Sequence, residues 1–162
     1  MGQEANPAPV HSPTTSENVD ELLEAARYDG IDDVISLTSS GVPLHSKDSQ
    51  GRTALHMAAA NGHLGIVEYL IRQRSSKEAI FTSISFDVNA SNEEKNTPLH
   101  WPCLNGHIEV VKKLILAGAN MSILNSHERT PIDEAVSRGE MDVMDTINAT
   151  MAQLELSGVA VS

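Results

Sequence analysis

Seven histidines and one cysteine are the residues of this 162-residue chain that could do chemistry near neutral pH. Imidazoles bind zinc or move protons, and a thiolate is a nucleophile and metal ligand. Four of the histidines form two pairs, His56 with His63 and His100 with His107, each seven residues apart. Metal sites prefer closer groupings completed by Cys or carboxylate partners, and none is arranged around either pair. Cys103 stands in no set that joins a nucleophile to a base, and the sequence holds no Gly-rich phosphate loop and no G-x-S-x-G elbow. No catalytic residue, metal or cofactor is therefore expected, and the histidines need a structural explanation.

Their spacing supplies one. The segment TALHMAAANGHLGIVEYL begins at Thr53, TPLHWPCLNGHIEVVKKL at Thr97 and TPIDEAVSRGEMDVMDTI at Thr130. The spacings are 44 and 33, and 44 is 33 with 11 residues inserted. Gly62, Gly106 and Gly139 keep these spacings, as do Val67, Val111 and Met144, and Leu70, Leu114 and Ile147. A weaker copy, ELLEAARYDGIDDVISL, starts at Glu21, with Gly30 placed 32 residues before Gly62. Gly41 and Gly118 are 77 apart, which is one full and one extended period.

Each recurring residue has a physical task. The threonines stand where a turn enters a helix, so their hydroxyls can cap free N–H groups. Pro98 and Pro131 suit the first helical position, where no N–H is needed. His56 and His100, three residues past the threonine, can bond to it or to the turn backbone. Leu55, Leu99 and Ile132 point inward, and Ala58, Ala59 and Cys103 are small enough for helices to approach closely. The three glycines end the first helix of each pair in a left-handed conformation. Ile66, Val67, Leu70 and Ile71 then bury one face of a second helix, as do Ile108, Val111, Leu114 and Ile115. Helices are predicted at 19–28, 31–39, 54–61, 64–73, 98–105, 108–117, 131–138 and 141–152.

A 33-residue period with T-P-L-H followed by N-G-H is the ankyrin signature, and the chain resembles the ankyrin-repeat family over residues 18–155. The resemblance implies an all-α solenoid of four helix–turn–helix repeats with β-turn fingers, near 18–50, 51–95 with the insertion, 96–128 and 129–155. The end repeats act as polar caps. Residues 1–17, rich in Pro, Ser and Thr, read as a disordered arm, and 156–162 as a frayed tail. Three departures stand out. Pro102 lies inside a helix, where it should distort the first turn by crowding the carbonyl of Pro98. Lys95 takes the place of a turn glycine, which should alter that finger. The insertion, around Gln73 to Phe86, carries Ile80, Phe81, Ile84 and Phe86, so it lengthens the helix or packs back on the stack.

By the family pattern the binding surface is the concave side. Its fingertips are Ser49, Gln50 and Arg52, then Glu93, Glu94 and Asn96, then His127, Glu128 and Arg129. Its helix positions are Met57, Ala60 and Asn61, then Trp101, Leu104 and Asn105, then Glu134, Ser137 and Arg138. Trp101, the only tryptophan, falls on a surface position beside Met57 and Leu104. It reads either as an anchor for a partner or as a lid over the neighbouring repeat.

Charge narrows the partner. The net charge is −11, and residues 1–50 hold nine acids against two bases. Such a chain repels phosphate backbones and anionic membranes, so a basic protein is the expected partner. No apolar run of about 18 residues or signal-peptide pattern is present, and Asn6 breaks the myristoylation pattern that Met1-Gly2 suggests. The single cysteine fits a reducing compartment. The run from Thr53 to Leu114 resembles small fungal ankyrin-repeat chaperones that escort a KH-domain protein of the small ribosomal subunit. That resemblance implies a monomeric escort, cytoplasmic and nuclear, that shields a basic RNA-binding client. The fungal proteins carry a longer acidic C-terminal extension than this chain. The alternative is an ankyrin scaffold or regulator of a signalling or transcription protein.

Overall fold

The computed structural model describes residues 16–73 and 87–158. Among these, all regular structure is helical: α1 (Ser16–Arg27), α2 (Ile31–Ser39), α3 (Ala54–Ala60), α4 (Leu64–Gln73), α5 (His100–Asn105), α6 (Ile108–Leu116), α7 (Pro131–Arg138) and α8 (Met141–Leu156). They stack as four antiparallel pairs. The first helices form one row, α1 on α3 on α5 on α7, and the second helices another, α2 on α4 on α6 on α8. Each repeat touches only its neighbours, as expected for a solenoid. The core is aliphatic throughout: Leu22, Leu55, Ile66, Leu70, Leu99 and Leu114 are among the largest fully buried side chains. Ala26, Ala59 and Cys103 occupy one small-residue row between first helices, with no exposed surface. The insertion from Arg74 to Phe86 and the arm before Ser16 lie outside the described residues.

Several boundaries differ from the sequence reading. α1 begins at Ser16, inside the stretch read as an arm, because Glu17 favours a helix N-terminus and Val19 extends the buried face. α8 runs to Leu156, beyond the expected end at 152, and Ser157 closes it by donating its backbone N–H to Gln153 O at 3.1 Å. α5 starts at His100, not at Pro98. Pro102 has no N–H to offer the carbonyl of Pro98 and its ring crowds that carbonyl. The first turn is replaced by a tighter bond from His100 N to Thr97 O, 3.1 Å. Pro131 does occupy the first turn of α7.

The weak first copy also needs a correction. Asp29, not Gly30, is the residue that matches Gly62, Gly106 and Gly139. It lies 33 residues before Gly62, and its φ of 62° sits beside their 73°, 75° and 71°. Gly30 takes the helix-entry place held by His63, His107 and Glu140, so the period is kept throughout.

Candidate protein-binding site

The histidines join the repeats together. Nδ1 of His56 accepts from the Thr53 N–H at 3.2 Å and lies 2.9 Å from Thr53 Oγ1, while the His56 N–H donates back to that hydroxyl oxygen. This reciprocal box caps α3. The other ring nitrogen, Nε2, lies 2.8 Å from the carbonyl of Asn96 in the next repeat. A carbonyl only accepts, so Nε2 carries the hydrogen and the ring is neutral with a lone pair on Nδ1. The His100 ring repeats these contacts with Thr97 and, at 3.0 Å, with the carbonyl of Arg129. Its own backbone N–H goes to the Thr97 carbonyl, so the expected threonine cap does not form on α5, which starts two residues late. Burial pushes the pKa of His56 down to about 4 and lowers that of His100.

The second histidine of each pair points the opposite way. His63 donates from Nε2 to the Arg27 carbonyl at 2.8 Å, and His107 to the Ala60 carbonyl at 3.1 Å. Each of the two therefore reaches back to the end of the preceding first helix. His107, and Glu140 in the equivalent place of the fourth repeat, also fill the space over the helix-ending glycines. A Cβ at Gly62 would stand 2.7 Å from His107 Nδ1, and one at Gly106 would stand 2.6 Å from Glu140 Oε2. The fourth repeat keeps the cap but not the reach. Asp133 holds the histidine's place and exchanges bonds with Thr130 at 2.9 and 3.1 Å, and these backbone and hydroxyl contacts hold its carboxyl below the usual range. Burial pushes the Cys103 thiol up to about 12, the character of an apolar spacer. Among the described residues, no three His, Cys, Asp or Glu side chains group so as to hold a metal ion.

The fingers are built by a residue set the sequence reading missed. Oδ1 of Asp48 accepts from the N–H groups of Gln50 and Arg52, Oδ1 of Asn92 from Glu94 and Asn96, and Oδ1 of Asn125 from His127 and Arg129, at 2.9 to 3.1 Å. These three residues keep the spacings 44 and 33, so the test applied to the glycines would have found them. Gly51, Lys95 and Glu128 form another such row, all left-handed, with φ of 75°, 63° and 59°. Lys95 thus reproduces the turn of the glycine it replaces, at a cost in strain, and does not alter the finger. Adjacent fingers are tied by one main-chain bond each, Glu93 N to Gln50 O at 2.9 Å and Ser126 N to Glu94 O at 2.8 Å.

The expected surface residues divide into two groups. Glu93, Glu94, Glu128 and Arg129 are exposed at the tips, as are Ser49, Gln50 and His127. Asn61 and Asn105 are exposed on the first-helix face, with Leu104 half-buried beside them. Met57 and Asn96, expected at the surface, are buried, at 7% and 5% exposure. Met57 lies where α3 meets its neighbours, and the Asn96 side chain accepts from Asn125 Nδ2 at 2.9 Å. Arg52 is tied to Asp48 at 2.7 Å, and Glu134 accepts from Asn125 at 2.9 Å with Arg129 3.7 Å away. Arg52, Asn96 and Glu134 therefore support the fingers, while Met57 belongs to the core. Trp101 is half-buried and stands T-shaped to the His56 ring, centroids 5.9 Å apart, so part of the indole covers the neighbouring repeat.

Comparison with known proteins agrees with this architecture. A family model of ankyrin repeats (three copies) matches residues 22–124 and 73–152. An ankyrin repeat-containing protein of Schizosaccharomyces pombe is 42% identical over 131 residues, covering 79% of this chain and 82% of that protein. Acyl-CoA-binding domain-containing proteins 1 and 2 of Arabidopsis thaliana are 34% and 37% identical over 53 and 59 residues, which are 16% and 17% of their lengths. The period, the histidine bonds between repeats and the family match lead to one conclusion: the chain belongs to the ankyrin-repeat family, a protein-interaction fold.

Proposed function

We propose that this ankyrin module is a dedicated chaperone or escort of a basic, KH-domain protein of the small ribosomal subunit. In this reading it works in the cytoplasm and nucleus, covers the client's RNA-binding surface before rRNA does, and performs no catalysis itself. The observation that carries the reading is charge. The chain is at −11, and Glu17, Asp20, Glu21, Glu24, Asp29, Asp32 and Asp33 all stand exposed on the first repeat against Arg27 and Lys47. Complementary fields speed the capture of a basic client and disfavour acidic competitors. The resemblance of the Thr53–Leu114 run to fungal escorts adds support.

The test is a pull-down with the purified chain from cell extract at low and moderate salt. The KH-domain ribosomal protein should be the dominant basic protein retained, and its recovery should fall as salt rises. Its absence from the bound fraction rejects the reading. Retention of a signalling or transcription protein that survives moderate salt would replace it with the scaffold alternative.

A further inference from the structure

The first repeat presents a seat that nothing fills among the described residues. In each later repeat, the helix pair receives the preceding pair on buried, apolar positions. One row of these is Ala54, Pro98 and Pro131, and another is Ile66, Val110 and Val143. One period earlier, the same two rows hold Glu21 and Asp33, both exposed. Leu37 keeps the apolar character of its own row, Leu70, Leu114 and Ile147. Together with Glu24 and Tyr28, these residues line an open groove of about 630 Å³ between α1 and α2. Tyr28 is 67% exposed there and already holds the Arg27 guanidinium 5.4 Å from its ring centroid.

We propose that this groove docks a Lys- or Arg-bearing helix of a partner protein, in the place a preceding repeat would take. The shape is that of a seat for helices, and its chemistry has been changed from apolar to acidic at the positions that decide the fit. No basic residue lines the groove, and Glu21, Glu24 and Asp33 make no ion pair among the described residues. Capping alone would be served by polar residues of mixed sign, whereas carboxylates of one sign repel one another until a cation arrives. Leu37 offers an apolar floor, and the exposed Tyr28 ring, on which Arg27 already rests, shows that the rim accommodates a guanidinium. A second copy is the wrong occupant, because its last repeat, residues 129–155, is itself acidic, with six carboxylates against Arg129 and Arg138. Residues 1–15 are wrong as well, since they contain no Lys or Arg.

The inference rests on the basic-partner reading for the sign of the occupant's charge, and does not require a ribosomal client. The test is titration of the full chain with a 16-residue acetylated peptide, four copies of Lys-Leu-Ala-Arg, followed by amide NMR shifts and fluorescence anisotropy. Shifts should centre on Tyr28, Asp33, Ser36 and Leu37. Glu21→Gln/Glu24→Gln/Asp33→Asn should weaken binding at least tenfold. A charge-matched control on α8, Asp142→Asn/Asp145→Asn/Glu155→Gln, should change it by less than about twofold, the shift expected of distant screened charges. Equal losses in the two variants, no loss in the first, or shifts centred on the fingers would each overturn the proposal. Pull-down of the ribosomal client by the groove variant separates the two readings. Undiminished recovery together with undiminished peptide binding would discard the groove and leave the escort intact, while no client with the unaltered chain would discard the escort and leave the peptide result standing.

Discussion

Mild acid should loosen the joints between repeats, and His56 sets the size of the effect. Its folded pKa is about 4, because burial deprives the charged imidazolium of water. In the unfolded chain a histidine titrates near 6.5. The unfolded state therefore binds the extra proton as pH falls below about 6.5, and the folded state resists until about 4, so stability declines through that window. At pH 5 the loss from this one group is about 2 kcal/mol relative to pH 7, approaching ~3 kcal/mol below pH 4. His100 shifts in the same direction and adds to the loss. Urea unfolding followed by far-UV circular dichroism at pH 7 and pH 5 would measure it. The acidic residues titrate as well, so the chain should be compared with His56→Gln, which removes the imidazole and leaves the carboxylates. The unaltered chain should lose about 2 kcal/mol more than the variant between the two pH values. Equal losses, or an NMR titration midpoint of His56 near 6.5, would refute the argument.

Two further outcomes follow from the repeat geometry. Lys95→Gly and Glu128→Gly should each raise stability by ~0.5–1 kcal/mol, the relief of a left-handed backbone less the added freedom of an unfolded glycine; an unchanged urea midpoint would show that these turns carry no strain. Trp101→Ala should weaken client binding at least tenfold while losing about 0.5–1.5 kcal/mol of stability with the His56 ring contact. Unchanged affinity with lost stability, read by titration calorimetry and urea unfolding, would make the indole a lid and no more.

The repeat was legible because its residues perform local tasks at fixed intervals. Thr53 and Thr130 cap, Gly62 and Gly106 turn, and each does so with partners a few residues away. Two surface positions are not legible because contacts between repeats decide them. Met57 matches a surface position by pattern, yet the neighbouring helices bury it. Asn96 looks like a polar tip residue, yet its amide is committed to Asn125 of the next finger. The first copy was misaligned by one because Gly30 has the residue type a left-handed position favours, while Asp29 has the place. Aspartate reaches that conformation more readily than most side chains. The histidines were assigned a structural role from spacing, but spacing could not show that one of each pair reaches forward and the other back.

All four of those histidine bonds end on main-chain carbonyls, a group every amino acid possesses. A repeat that grips its neighbour through the backbone makes no demand on that neighbour's side chains. The 11 extra residues illustrate the freedom this gives. His56 finds its acceptor 40 positions along the chain and His100 finds the equivalent one 29 positions along, yet the two bonds differ by only 0.2 Å. Units joined in this way can be copied, lengthened or exchanged while their surfaces diverge, so selection can reshape the face that meets a partner without renegotiating the joints that hold the stack upright.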